Sequence, residues 1–397
     1  MNSITATQIS NVAYGFLCFI PIVGAILADS FFGSFNVVLL SSCVSLLDNV
    51  SWGLGFGISA VANLMALAIL LVGFGFYRRL DVPRGGRSPF LELARVPIAA
   101  LRKWWTSHYS HVSCGIGDYY YGGRHCLHAV IPEKRLRFFN RAALITEGDL
   151  APDGTIAKSW RICTVQQLQD FKALIGVLSI WSSCILLSTP IAIQNNLTIL
   201  QALTMDRHLG PHFKIPSSSM VVVVQISAAI FLILIDGVLV PAWRKLIGGS
   251  LTPLRRVGAG HVFVALAMMI SALIESKRLH QLEREEVGMS ALWLFPQLVM
   301  VGIGEALYFP GLTAFYYKKL PESLKSISAA MISMDIGIAY FLSTVIIDFV
   351  RKVTDWLPDD LNHGGLNYVY WMLVLLGVIN FGYFLLCSML YKKIPTL

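Results

Sequence analysis

The chain has 397 residues, of which 55% are hydrophobic and only 14% charged, with a mean hydropathy of +0.65 and a net charge of +8. Soluble domains carry roughly a quarter charged residues, so this composition excludes an ordinary water-soluble fold. The positive excess alternates along the chain instead of gathering in one basic block, which leaves no need for a nucleic-acid partner.

Long uncharged runs predict eight membrane-spanning helices, since a bilayer core takes about 20 apolar residues. In chain order these are Gln8–Ala28, Trp52–Tyr77, Ala173–Leu200, Ile215–Trp243, Val257–Ile274, Met289–Tyr317, Ser326–Val350 and Tyr368–Tyr391. A further run, Phe35–Leu47, would rise only about 20 Å and is too short to cross. No run alternates as the short segments of a closed barrel do. Met1–Ala28 lacks a basic leader and a small-residue cleavage site, so it reads as a retained helix.

Residues 80–170 form a polar, basic loop, with 14 Lys/Arg against 7 Asp/Glu between Arg78 and Arg161. Within it, Pro89–Trp105 predicts an interfacial helix. Leu91, Ala94, Pro97, Leu101, Trp104 and Trp105 would lie on the membrane, with Arg95, Arg102 and Lys103 facing headgroups. Basic residues recur at Arg244/Lys245/Arg255/Arg256, at Lys318/Lys319/Lys325 and at Lys392/Lys393, while the alternate loops are mixed or acidic. This pattern puts the long loop and the C-terminus in the cytoplasm. Three parts follow: residues 1–79 with two full spans and one short run, the loop at 80–170, and residues 171–397 with six spans.

The seven cysteines are scattered and read as small buried hydrophobes. His108, His111, Cys114, His125, Cys126 and His128 cluster in the loop without a recognised zinc spacing. No cofactor or hydrolase fingerprint is present, so neither cofactor nor enzyme chemistry is expected.

Ionisable groups inside spans are the informative ones, because each costs roughly 2.5–3.5 kcal/mol at a helix centre. Glu305 lies mid-span between Gly302, Gly304 and Phe309–Pro310–Gly311, a setting tolerated where the backbone faces protein or a wet cavity. It is the leading candidate for carrying a proton or touching solute. Asp236, before Gly237, reads equally as a coupling group or as a packing contact, and Asp335 as an acid facing the cavity. Lys172 would snorkel to the interface, and Asp29 and Asp348 would be interfacial. Gln194, Asn195 and Asn196 form a polar patch near Pro190 that lines a solute path or joins helices. Tyr308 is a further candidate lining residue, although it reads most simply as core packing together with Phe315, Tyr316 and Tyr317.

Several motifs resemble one family. Ala25–Ile–Leu–Ala–Asp29–Ser–Phe–Phe–Gly33 is similar to the signature closing the second helix of proton-dependent oligopeptide transporters. Phe138–Asp149, Leu203–Pro216 and Gly302–Gly311 resemble the plant nitrate/peptide branch of that family. Leu209–Gly–Pro–His–Phe–Lys–Ile–Pro216 and Thr354–His363 resemble its nitrate-excretion subgroup. The resemblance implies an all-α polytopic bundle of the major-facilitator type, here with an incomplete N-terminal half. The family's first-helix Glu-x-x-Glu-Arg/Lys motif has no match in this chain. Between Leu47 and Asp48 the pattern jumps from the start of family helix 3 to the entry of helix 6, so helices 4 and 5 are expected to be missing. The resemblance further implies a proton-coupled secondary carrier of nitrate or another small anion, seated in the lipid bilayer of the plasma membrane. The other reading left open is a truncated, non-transporting partner of a full-length relative.

Overall fold

The structure is a computed structural model. It describes residues 3–19, 21, 61, 64, 67, 68, 71, 89–106, 118–121, 132, 136–146, 148–150, 160–248, 251–285, 288–320, 327–358 and 360–392. The expected runs Phe35–Leu47 and nearly all of Trp52–Tyr77, the junction at Leu47–Asp48 and the His/Cys cluster of the loop lie outside the described residues, as does Asp29.

The described helices are α1 (Ser3–Leu17), α2 (Pro89–Thr106), α3 (Val165–Leu203), α4 (Met220–Leu234), α5 (Val240–Ile247), α6 (Pro253–Glu285), α7 (Phe295–Lys319), α8 (Ile327–Val353) and α9 (Leu366–Lys392). Among the described residues, six helical stretches are long and apolar enough to cross a membrane, and they coincide with the six spans expected after residue 171. The chain divides into two compact units. One comprises Met1–Pro21, Val177–Lys319 and Ser328–Leu397, and the other Ile22–Gly176 with Leu320–Ile327.

The first unit is a helical bundle in which α3 is hydrogen-bonded to several neighbours. Along this helix polar groups reach sideways to neighbours, since in an apolar interior each polar group needs a protein partner. Trp181 donates to the Met331 carbonyl of α8 at 3.2 Å, and Asn380 of α9 donates to the Ser183 carbonyl at 2.9 Å. Gln201 donates to Glu275 of α6 at 2.5 Å, and Glu275 is paired with Arg278 at 2.7 Å. Arg278 in turn donates to Asn362 at 2.7 Å and to the Leu361 carbonyl, fastening the α8–α9 loop. Glu275 and Arg278 are buried. A paired, hydrogen-bonded charge is the form in which burial is tolerable.

Helix α1 belongs to this unit. Asn11 donates to Ser343 of α8 at 3.3 Å and accepts from Asn196 of α3 at 2.6 Å, while Gln8 donates to Asp348 at 2.5 Å.

Between α4 and α5 the backbone widens into a π-turn, Ile235–Leu239, which carries Asp236 and Gly237. Single π-turns inside helices often mark functional positions. The helix ends at Gly248, whose φ of +71° is the left-handed conformation that glycine adopts without strain.

In the second unit α2 packs through Val96, Ala99 and Ala100 onto Tyr119, Ala142, Ala143, Cys163, Val165 and Leu168. Here the expected orientation of α2 is corrected. Leu91, Leu101 and Trp104 are indeed exposed, but Arg95 and Lys103 are buried and do not face headgroups. The reason is charge: Lys103 pairs with the buried Asp149 at 3.0 Å and donates to the Leu144 carbonyl, and Arg95 lies over the Trp160 ring. Desolvation raises the Asp149 carboxyl. Hydrogen bonds from Thr146 and Lys103 together with the Lys103 charge outweigh it and hold Asp149 below the usual carboxylate value. The Lys172 ammonium donates to Asn140 Oδ1 at 2.5 Å.

Helix α7 approaches α4 and α6 very closely. A Cβ at Gly302 would fall 2.0 Å from Ser227 Oγ and 2.7 Å from the Val224 carbonyl, and one at Gly260 would lie 2.9 Å from Tyr308 Cβ. Gly302→Ala should therefore push α4 and α7 apart and cost about 1–3 kcal/mol, read as a lower thermal midpoint in lipid nanodiscs. A wild-type midpoint would mean the helices separate freely.

Candidate functional site

The first unit holds a cavity of about 470 Å³ between α3, α4, α7 and α8. That volume lies inside the range of small-molecule sites. Each wall follows the helical repeat: Ser188, Ile191, Ala192 and Asn195 from α3, Gln225, Ala228, Ala229 and Leu232 from α4, and Ile336, Ala339 and Tyr340 from α8. Helix α7 contributes Glu305, Ala306, Phe309 and Pro310. Glu305 is the one charged residue among the described lining residues, and the remaining polar groups are neutral. It is 8% exposed, at the boundary between the helix interior and the cavity.

Of the residues singled out from sequence, Glu305 and Asn195 meet in this cavity. The polar run 194–196 does not act as one patch, because successive residues turn by about 100° on a helix. Gln194 is fully buried and donates to Ser271 of α6 at 2.9 Å, whereas Asn196 turns to Asn11 and to the Ala192 carbonyl. Asn195 alone faces the cavity, and its Oδ1 is buried without a partner among the described residues.

Tyr308 and Asp335 lie behind the wall. Both are completely buried, the Tyr308 hydroxyl donates to Asp335 Oδ2, and Ser188 donates to the same oxygen at 3.0 Å. Ser188 thus touches both the cavity and the hidden carboxyl.

Asp236 sits away from the cavity lining, half exposed, and accepts from Arg256 of α6 at 2.8 Å. The same guanidinium donates to the Ala306 carbonyl at 3.1 Å. Pro310 explains that contact. It stands four residues after Ala306 and has no N–H, so the Ala306 carbonyl loses its helical donor. Arg256 supplies the missing bond one residue from Glu305.

The sequence reading does not single out Gln225, Tyr340 or the Glu275–Arg278 pair, and it places Arg256 only among the basic residues between two spans. The Pro310 break implied a freed carbonyl needing a donor, and the i, i+3 spacing of Glu275 and Arg278 is a pair signature. Nothing local distinguished Gln225 or Tyr340 from any other span residue.

Comparison with known proteins decides the family. The family model described as PTR2, POT family, matches residues 24–362. The chain is 39% identical over 494 residues to Protein NRT1/ PTR FAMILY 2.7 of Arabidopsis thaliana, covering 99% of this chain and 86% of that protein. The chain belongs to the POT family. It is also 46% identical over 349 residues to Protein NRT1/ PTR FAMILY 2.5 of the same plant, covering 87% of this chain and 61% of that relative. The crystal structure of the POT family transporter PepTSo, 14% identical, matches with a TM-score of 0.62 over 99% of this chain and 91% of that one. A structure of an auto-inhibited POT family peptide transporter matches at 15% identity with a TM-score of 0.60 over 100% of this chain and 89% of that one. This POT-family chain is a multi-pass integral membrane protein of the transporter class, and family members are transporters, not enzymes. An alignment of 494 positions holds at most 397 from this chain, so at least 97 positions of that relative have no counterpart here.

The two Arg256 contacts should differ in weight. Asp236→Asn keeps an amide oxygen that can still accept from Arg256, so this variant loses only the charge of that contact. An orphaned buried carbonyl costs about 1–3 kcal/mol. Arg256→Met should therefore destabilise the bundle clearly more than Asp236→Asn, measured as thermal midpoints of the two variants in nanodiscs. Equal losses would assign the stability to the ion pair instead.

Proposed function

We propose that this chain is a proton-coupled secondary carrier of nitrate or another small anion, acting in the plasma membrane, with Glu305 as the coupling acid. The observation that carries the reading is a single carboxyl on a cavity wall whose other polar lining residues are neutral. An ionised Glu305 repels an anion in the same cavity. At about 4 Å and an effective dielectric near 20 the repulsion is roughly 4 kcal/mol, on the order of a thousandfold in affinity. A protonated Glu305 removes that repulsion and offers an O–H donor beside Asn195 and Gln225. Anion and proton then bind together, and a cavity that empties one releases the other, as alternating access requires. The kinship with NRT1/PTR family proteins of Arabidopsis thaliana supports the carrier part of this reading.

Uptake of labelled nitrate into vesicles under an inward proton gradient tests this. Glu305→Gln keeps shape and hydrogen-bonding capacity without a titrating charge. Gradient-driven accumulation should be lost, while nitrate exchange at equilibrium should persist and become independent of pH. Unchanged gradient-driven accumulation would remove Glu305 from the mechanism. Stronger binding as pH rises would point to an ammonium-bearing solute in place of an anion.

One observation favours a second reading, a non-transporting protein that inserts and associates with a full-length relative. At least 97 aligned positions of a relative are unmatched, enough for several helices at about 20 residues each. Rocking of two bundles around a central site needs both bundles. A chimera carrying the unmatched relative segment should then exceed this chain in coupled flux at matched surface expression. Equal flux from both would show that segment to be dispensable.

A further inference from the structure

We infer that Asp335, Tyr308 and Ser188 form a closed ring of three oxygens that stores one proton behind the cavity wall and exchanges it with the cavity through the Ser188 hydroxyl. The inference rests on the reading of the cavity as the solute chamber but adds a second protonatable station that this reading does not use.

The ring is set by geometry. Ser188 Oγ lies 3.0 Å from Asp335 Oδ2 and 3.0 Å from the Tyr308 hydroxyl, and Tyr308 donates to Asp335 Oδ2. Three oxygen–oxygen contacts need three protons to be attractive. Serine and tyrosine supply two, so if both point at Oδ2 the Ser188–Tyr308 contact is two oxygens facing each other with no proton between them. A third proton on Asp335 Oδ2 lets each oxygen donate once and accept once around the triangle. The ring is fully satisfied only with Asp335 neutral.

Charge points the same way. Among the described residues, the titratable side chains that interact with Asp335 are Tyr308 and Tyr316 of α7 and Cys184 of α3, with Cys387 of α9 beside Cys184, and none of these is a cation. Asp335 is 0% exposed, and its Oδ1 has no partner among the described residues. An unpaired buried charge costs several kcal/mol, whereas Oδ1 as the carbonyl oxygen of a neutral acid loses only one neutral hydrogen bond.

Ser188 connects this store to the solute chamber. It is the one ring member among the lining residues, on the α3 face that also presents Asn195. When Asp335 is ionised, a hydronium in the cavity gives a proton to Ser188 Oγ as the serine's own hydroxyl proton moves to Asp335 Oδ2. Two O–H bonds break, one in hydronium and one in serine, and two form, one in serine and one in the carboxyl, so a water is left in the cavity and serine ends unchanged. The net change is one proton moved from cavity water to the carboxyl. The reverse sequence discharges it. Tyr308 positions the carboxyl and stays outside the path.

Infrared spectra of the purified chain in lipid vesicles test this without requiring transport, so the outcome is independent of whether nitrate is carried. In a Glu305→Gln background, which removes the overlapping acid, a protonated-carboxyl C=O band should be present at neutral pH and absent after Asp335→Asn. In heavy water the band should shift as the proton exchanges. Ser188→Ala should slow that exchange at least about tenfold, equivalent to about 1.4 kcal/mol in barrier, and Ser188→Thr, which restores the hydroxyl, should return it. The serine pair carries the test even where Asp335→Asn fails to fold. No carboxyl band lost with Asp335→Asn, or equal exchange with alanine and threonine at 188, would overturn the inference.

Discussion

The close approach of α7 to α4 on one side and to α6 on the other is the constraint on which the rest depends. It exists because Gly302 faces Val224 and Ser227 with no Cβ, and because Gly260 leaves room for Tyr308. With hydrocarbon on the lipid side, no hydrophobic gain separates helix–helix from helix–lipid contact, so tight backbone packing between small residues holds such bundles together. Once α7 is held there, its turns assign the chemistry. One face presents Glu305, Ala306 and Phe309 to the cavity, and the adjacent face drives Tyr308 back toward α3 and α8.

The same tightness makes every break in a helix consequential. Pro310 deprives the Ala306 carbonyl of its donor beside Glu305, and Arg256 supplies one from α6 while holding Asp236 in the π-turn. A single guanidinium thereby spans a proline break, a widened turn and the residue next to the candidate coupling acid. In a low-dielectric interior none of these backbone groups could be left to water, which ties the irregular turns to one another.

Polar groups on α3 show how a helix distributes partners that its sequence writes side by side. Gln194, Asn195 and Asn196 are consecutive, yet one braces α6, one lines the cavity and one holds α1. Asp236 and Asp335 share one sequence feature, an acid within an apolar run. One is half exposed and paired with Arg256, the other completely buried among hydroxyls. In the second unit, basic residues read as headgroup contacts turn inward because Asp149 offers Lys103 a buried counter-charge. A residue's type states what it costs to bury and what it can bond, but not which neighbour meets it.

Sequence by itself determined that this is a helical membrane chain, that six spans follow residue 171, and that Glu305 sits amid helix-loosening residues, since apolar run length, glycine and proline are local properties of the chain. The POT family motifs were legible for the same reason. Tertiary structure alone decided that Gln225, Tyr340 and Ser188 share a chamber with Glu305, that Tyr308 and Asp335 stand behind it, and that Arg256 bonds the carbonyl left free by Pro310. Ser188 and Asp335, for example, meet across a sequence separation of 147 residues. Such meetings depend on the rotation of each helix about its own axis, which packing between small residues sets and no local pattern encodes.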